Sequence, residues 1–203
     1  MPNSYDPAEF LNAAASIKND TFVLTSAGNF YGPRTPEPFL KALSILSKEE
    51  DLSGLKVKFI GSLGKFKDLI YKYNIGNIVE ALGTLPRNDT IKYLFKSDAL
   101  ILIDSPSKNE SVFLPSKLLD YINIKKPILA ITPRGPSAEV VIATRTGVVR
   151  APEDIIGIKN IIKEYYHAYK RSELKIEPDL NEIEKYSAKN YTKTLVNIIE
   201  KLI

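Results

Sequence analysis

The stretch that decides the fold is Ala99–Ile103 (ALILI), an uninterrupted apolar run that ends at Asp104 and a polar loop. A short run of this kind, without alternating polar residues, is typical of a strand that is buried on both faces. Strands of this type belong to parallel sheets that carry helices on both sides. The run therefore predicts a central strand of an α/β domain.

Similar apolar runs lie on either side of this strand, and each is followed by a segment with helical periodicity. The other predicted strands are Phe22–Thr25, Val57–Gly61, Ile78–Leu82, Pro127–Ile131 and Gly147–Val149. Helices are predicted from Thr35-Pro36 onward and over residues 65–73, 88–96, 116–124, 137–144, 154–170 and 188–203, with an irregular connection over 171–187. This alternation, joined by right-handed crossovers, predicts a Rossmann-like doubly wound parallel sheet of about six strands.

The composition limits the class of protein. The 203 residues are 44% hydrophobic and 26% charged, which suits one folded domain with a core. Without cysteine, disulfide and thiolate chemistry are excluded, and the single histidine, His167, is predicted to be a surface residue with no catalytic role. No apolar stretch is long enough to span a bilayer, and no signal peptide is expected.

The formal net charge of +4 leaves two interpretations open. It is typical of a lysine-rich solvated surface, or it favours a phosphate-bearing ligand or an anionic membrane surface. No basic run is interleaved with aromatic residues, so a nucleic-acid partner is not expected.

Ligands bind a doubly wound sheet at the carboxyl ends of its strands, so the loops after the strands hold the candidate binding residues. The first loop runs from Gly28 to Arg34. Glycine permits close backbone approach, and the planar guanidinium matches a phosphate at a helix N-terminus. The alternative is a tight turn with a solvated arginine. The loop Gly61–Phe66 (GSLGKF) fails as a P-loop, because Phe59 and Phe66 replace the required glycine and hydroxyl residue.

A second candidate site follows the central strand, where a helix is predicted to start at Ser116. Ser116 is a candidate N-cap, and Lys117 and Asp120 lie three residues apart, hence on one helix face. Lys117 suits a phosphate, and Asp120 can accept hydrogen bonds from a ribose diol. The alternative is a simple surface ion pair.

Seven motifs, in their order and spacing, resemble the C-terminal donor domain of GT-B fold glycosyltransferases of family 4. They are Asn3–Phe10, Thr25–Gly28 with Arg34, Phe59–Gly61, Leu82–Pro86, Leu114–Tyr121, Lys126–Ala130, and Thr146–Val149 with Asp154. The resemblance implies a retaining glycosyltransferase that moves a sugar from a nucleotide-diphosphate sugar to an acceptor hydroxyl, without a metal or other cofactor.

The resemblance also implies roles for individual residues. The donor-binding residues would be Gly28, Arg34, Leu85, Ser116, Lys117 and Asp120. Among them, Arg34 takes the pyrophosphate position, Leu85 the position beside the base, and Asp120 the ribose position of the second Glu in E-x7-E. The first Glu of that motif falls at Val112, and Asn29 replaces a frequent arginine. Glu110 or Ser111 would then contact the sugar. No catalytic residue is assigned.

The resemblance further implies that the chain is the donor-binding half of a larger enzyme. Residues 1–20 would be an interdomain linker, 21–182 the donor-binding domain, and 183–203 a C-terminal helix that packs on an absent N-terminal domain. Alternatively, that helix covers the sheet or forms a dimer. The absent domain would bring a glycan or lipid-linked acceptor. The location implied is cytoplasmic, with peripheral contact at the inner face of the membrane.

Two other functions remain open on the residues alone. A sugar-nucleotide epimerase would use a similar half-domain and the same donor pocket. A non-catalytic Rossmann-like interaction module is favoured by the missing carboxylate at Val112. The donor base and the sugar are not determined by the sequence.

Overall fold

The computed structural model describes residues 3–10, 20–104 and 110–201. The strands are β1 (Phe22–Ala27), β2 (Leu55–Ile60), β3 (Val79–Gly83), β4 (Ala99–Ile103), β5 (Ile128–Ile131) and β6 (Gly147–Arg150). The helices are α1 (Glu37–Glu49), α2 (Asp68–Lys72), α3 (Arg87–Lys96), α4 (Ser116–Ile124), α5 (Pro136–Ala143), α6 (Ile155–Lys170), α7 (Leu180–Glu184) and α8 (Ala188–Glu200). Short 3-10 helices cover Pro7–Phe10 and Gly64–Lys67.

The six strands form one parallel sheet in the order β3-β2-β1-β4-β5-β6. This order confirms the predicted doubly wound sheet, in which the direction of winding reverses between β1 and β4. The register between these two strands covers only the pairs Leu24–Ala99 and Thr25–Leu100, although both strands continue further.

The core lies on both faces of the sheet, as the ALILI run predicts. All five residues of β4 are buried. Ile101 and Ile103 pack into the layer that contains α1 and α6, whereas Leu100 and Leu102 pack into the layer that contains α4 and α5. Each fully buried aliphatic side chain contributes about 1.5–3 kcal/mol relative to exposure. Because neither face of β4 meets water, no polar alternation is present in its sequence.

Two predicted helix starts are shifted by one residue. Ser116 is the first residue of α4 rather than its N-cap, and Pro115 occupies the cap position without a side-chain hydrogen bond. Helix α1 begins at Glu37, whose N–H donates to the hydroxyl of Thr35 at 3.1 Å. Pro36 and Pro115 occupy the cap positions of α1 and α4. Proline suits the start of a helix because its fixed φ is compatible with the helix and because it has no N–H to leave unsatisfied.

The predicted irregular connection 171–187 is wrong in part, because it contains α7. The carboxylate of Asp179 caps this helix by accepting hydrogen bonds from the N–H groups of Asn181 and Glu182. Such a cap allows a short helix that lacks a long apolar stripe. The predicted helix over 65–73 is a 3-10 turn followed by the short α2.

The two ends of the described chain meet at Tyr5, which is 3% exposed. Its N–H donates to the carbonyl of Tyr186, and its carbonyl accepts from Ala188 at the start of α8. Helix α8 itself has no buried residue, and Leu195, Val196, Ile198 and Ile199 are exposed. It therefore does not cover the sheet. In the described part of the chain, no helix is long and apolar enough to cross a membrane.

Candidate functional site

A cleft of about 340 Å³ lies where β1 and β2 end and where α4 begins. Five of the six predicted donor-binding residues line it, namely Gly28, Leu85, Ser116, Lys117 and Asp120. A larger depression of about 610 Å³ lies between the ends of α1 and α2, but it holds none of the predicted residues. The smaller cleft is therefore the candidate site, because it lies at the ends of the strands and contains the predicted residues.

The floor of the cleft is backbone from two glycine loops. Gly28 has φ +112° and Gly61 has φ +110°, values that side chains rarely adopt. A Cβ on Gly61 would lie 2.7 Å from the carbonyl oxygen of Gly28, and a Cβ on Gly28 would lie 3.5 Å from Cδ of Lys117. The side-chain oxygen of Asn29 accepts a hydrogen bond from the N–H of Ser62 at 2.8 Å. Asn29 therefore ties the two loops together, where the family pattern often has an arginine.

The ammonium group of Lys117 packs against the glycine loop at Gly28, although the residue as a whole is only half-buried. Its Nζ is 3.4 Å from the carbonyl oxygen of Ile103. Burial, and after it the like charge of Arg34, lower the pKa of Lys117 to about 7, while the carboxylate of Asp104 acts in the opposite direction. A bound anion would stabilise the charged form of this lysine.

Arg34 is the sixth predicted residue. It contacts the buried carboxylate of Asp104, and both charges act on Lys117. Its Nη2 is 3.5 Å from Oδ1 of Asp104, and the side chain is 15% exposed. The Nε–H group is buried and has no hydrogen-bond partner among the described residues. Because an unsatisfied buried donor costs about 1–3 kcal/mol, this arrangement suits an acceptor that arrives with a ligand.

Asp104 was not predicted, although it directly follows the most apolar strand. Its Oδ2 accepts hydrogen bonds from the hydroxyls of Ser111 at 2.8 Å and Ser137 at 2.9 Å. Ser111 is buried against this carboxylate, whereas Glu110 is exposed. Their assignment as sugar contacts stays a prediction. Val112 is 73% exposed, so the position of the missing carboxylate lies at the surface.

Arg87 is the second residue that sequence reasoning missed. Its Nη1 donates to Oδ2 of Asp120 at 2.5 Å, and its Nη2 donates to Oδ1 at 2.8 Å. The same guanidinium donates to Glu9 from Nε at 3.1 Å and from Nη2 at 2.8 Å. Hydrogen bonds to Asp120, and then to Glu9, raise the pKa of Arg87 against the opposing effect of burial. The available signal was a basic residue directly after the Leu82–Pro86 motif.

Tyr121 fixes α4 to the sheet beside these residues. Its side chain is fully buried, and its hydroxyl oxygen accepts a hydrogen bond from the N–H of Ala27 at 2.7 Å. Burial raises the pKa of Tyr121. The bond joins the last residue of β1 to the helix that carries Lys117 and Asp120, and so connects that helix to the strand that leads into the glycine floor.

Metal-ligating side chains and the single histidine were the other candidates for a site. Over residues 3–10, 20–104 and 110–201, no three His, Cys, Asp or Glu side chains are grouped to hold a metal ion. His167 lies on α6, where its Nε2 is 2.6 Å from Oε2 of Glu50, and that hydrogen bond lowers the pKa of Glu50.

The family described as glycosyl transferases group 1 matches residues 8–177, which include every residue of the cleft. The chain belongs to this family. The six-stranded parallel sheet is thus that of a group 1 glycosyltransferase domain. A comparison with curated proteins gave no match.

Solved structures share this fold. A glycosyltransferase from Rickettsia africae ESF-5 matches with a TM-score of 0.74 and 15% identity, over 98% of this chain and 55% of that one. Sucrose-phosphate synthase from Thermosynechococcus elongatus matches with a TM-score of 0.73 and 16% identity, over 100% and 52%. Anabaena Alr3699/HepE in complex with UDP-glucose matches with a TM-score of 0.66 and 13% identity, over 97% and 54%.

These likenesses establish the fold of the group 1 glycosyltransferase domain, a Rossmann-like unit of the GT-B type. The chain spans about half the length of the solved structures that it matches.

Proposed function

We propose that this domain binds the nucleotide-diphosphate sugar in a retaining glycosyltransferase that moves the sugar to an acceptor hydroxyl. One observation carries the proposal: Lys117 and Asp120 project from one turn of α4 into the same cleft, with Arg34 beside the lysine. The cleft thus offers positive charge beside Lys117 and a carboxylate at Asp120 that is paired with Arg87. A nucleoside diphosphate has the complementary arrangement, with phosphates at one end and a ribose diol at the other.

Arg34 and Lys117 would stabilise the diphosphate as it leaves. Negative charge grows on the leaving diphosphate in the transition state, and preorganised cations and N–H groups stabilise it. Arg34 can donate from its Nε, which has no hydrogen-bond partner among the described residues, and Lys117 would be fully charged beside a bound anion. With these two cations in place, we propose that the transfer proceeds without a metal ion. Activity that persists in excess EDTA would support this, and activity restored only by Mg²⁺ or Mn²⁺ would contradict it.

Asp120 and Leu85 would bind the nucleoside. Asp120 would accept hydrogen bonds from the ribose hydroxyls, and the half-buried Leu85 would contact the base. UDP is the first nucleotide to test, because Anabaena Alr3699/HepE, which shares this fold, binds UDP-glucose. Since Val112 replaces a carboxylate, Glu110 or Ser111 would have to contact the sugar.

We also propose that α8 packs on a second domain that carries the glycan or lipid-linked acceptor. The exposed apolar side chains of Leu195, Val196, Ile198 and Ile199 support this, as does the half-length match to the solved structures. The proposed location is cytoplasmic, with peripheral membrane contact through that second domain. Fractionation of cells that express the longer protein would test the location.

Isothermal titration calorimetry with UDP, GDP and ADP tests the function. We expect one nucleotide to bind with a Kd of about 10 μM to 1 mM, roughly −7 to −4 kcal/mol. Arg34→Ala and Asp120→Ala should each weaken binding at least several-fold, because hydrogen bonds to charged groups contribute about 1.5–3 kcal/mol. Arg171→Ala is the matched control, since its exposed guanidinium pairs with Glu173 outside the cleft.

Two outcomes would favour the other functions. No nucleotide binding, by the folded domain or by the longer protein, would favour a non-catalytic module. Binding followed by epimerised nucleotide sugar, without transfer, would favour an epimerase.

A further inference from the structure

Arg87 joins three segments of the chain at the ribose end of the cleft. It is the first residue of α3, and its guanidinium holds Asp120 of α4 through two hydrogen bonds. The same group holds Glu9, which precedes the sheet, and its Cζ lies 5.9 Å from the ring centroid of Phe10. The segment before β1 therefore reaches a residue of the cleft through one arginine.

Burial of Phe10 fixes the position of Glu9. The Phe10 side chain is 5% exposed and packs edge-on against Phe95 of α3, with 6.2 Å between the ring centroids. This apolar contact anchors the 3-10 turn that carries Glu9. The carboxylate of Glu9 is thereby held beside Arg87, although its side chain is 48% exposed.

Helix stability does not account for an arginine at this position. The N-terminus of a helix carries partial positive charge, so a cation in the first turn is unfavourable. Arg87 is the first residue of α3, and its charge is balanced by Asp120 and Glu9 rather than by the helix. The favourable interactions of Arg87 are therefore its hydrogen bonds to these carboxylates, of which two go to Asp120.

The hydrogen-bond capacity of Asp120 allows Arg87 and a ribose diol to bind at once. An ionised carboxylate has about four lone-pair sites, two on each oxygen. Arg87 uses one site on each oxygen of Asp120. One site on each oxygen remains, which matches the two hydroxyls of a vicinal diol. A bidentate guanidinium also fixes the plane of the carboxylate, which a single point charge does not do.

We propose that Arg87 is a positioning residue for ribose recognition, and that Glu9 holds Arg87 in place. The inference rests on the proposed function of Asp120 as the ribose ligand. Arg87 orients both carboxylate oxygens toward the 2′- and 3′-hydroxyls, so the preference for ribonucleotides over deoxyribonucleotides depends on it. Glu9 contributes less, because it acts through Arg87 and is exposed.

The ratio of affinities for UDP and 2′-deoxy-UDP measures this role directly. In the wild-type protein we expect UDP to bind about ten- to a hundredfold more tightly, the value of one hydrogen bond to a charged group. In Arg87→Lys and Arg87→Met we expect the ratio to fall to about threefold or less, as in Asp120→Asn. Glu9→Gln should lower the ratio only about two- to threefold. Lys92→Met on the exposed face of the same helix is the control and should keep the wild-type ratio.

The outcomes separate this inference from the proposed function. If Arg87 only supports the fold, its variants will lose thermal stability or weaken both nucleotides equally, with the ratio unchanged, and the inference is overturned. A ratio that falls in Asp120→Asn but not in Arg87→Lys or Arg87→Met overturns the inference and leaves the function intact. Equal affinity of the wild-type protein for UDP and 2′-deoxy-UDP overturns the inference and the ribose role of Asp120, whereas the proposed function is overturned only if neither nucleotide binds.

Discussion

We expect the proposed nucleotide binding to depend on pH because of the pKa of Lys117. In the free protein this pKa is lowered to about 7, mainly by burial and then by the charge of Arg34. A diphosphate beside Lys117 would favour the ammonium form and raise the pKa in the complex. Above about pH 7 binding must therefore return a proton to Lys117, and each pH unit should cost about 1.4 kcal/mol, or tenfold in affinity.

The pKa of Lys117 also sets the direction of the pH dependence and the pH range in which the affinity changes. Below pH 7 Lys117 is charged in the free protein and in the complex, so the affinity stays constant with respect to this group. Above pH 7 the free protein loses the proton, and the affinity falls until the pKa of the complex is reached. With a free pKa of about 7, binding above this pH should take up a proton as UDP binds. Terminal phosphates titrate near pH 6 and do not contribute in this window.

Calorimetry in buffers of different ionisation enthalpy measures the proton uptake, and the Kd between about pH 6 and about pH 9 gives the slope. Lys117→Arg is the matched control, because arginine stays charged throughout and should remove both the slope and the uptake. A wild-type affinity that is flat from about pH 7 to about pH 9, or a Lys117→Arg variant with the wild-type slope, would refute the reasoning.

Two further predictions concern stability and are measured by urea unfolding. Gly61→Ala should destabilise the fold by about 1–3 kcal/mol, because its Cβ would meet the carbonyl of Gly28 at a φ of +110°. Gly76→Ala, where the nearest atom is 3.9 Å away, should stay within about 0.5 kcal/mol, and an equal loss in both would contradict this account. Tyr121→Phe should cost about 1–3 kcal/mol, because the buried N–H of Ala27 loses its acceptor; an unchanged midpoint would argue against it.

Burial patterns along the chain were enough to predict the architecture. The apolar run of β4 and its repeats predicted a parallel sheet covered on both faces, because a strand buried on both faces has no polar alternation. The neighbourhood of Lys117 and Asp120 was also predictable, since residues three apart share one face of a helix. The family motifs added five residues that line one cleft, because the order of the motifs can be recognised without any knowledge of side-chain contacts.

Only the tertiary structure decided which charges meet. Arg87 and Asp120 are separated by 33 residues, and Arg87 and Glu9 by 78, so no local periodicity relates them. Asp104 likewise becomes the partner of Arg34 only because β1 and β4 are adjacent in the sheet. The pKa of Lys117 depends on the same assembly, because neither its burial nor its distance from Arg34 exists before the strands pair. The periodicity of apolar residues is a local property that can be seen in the sequence itself. Electrostatic interactions depend on distances between charges, and these distances exist only in the folded protein.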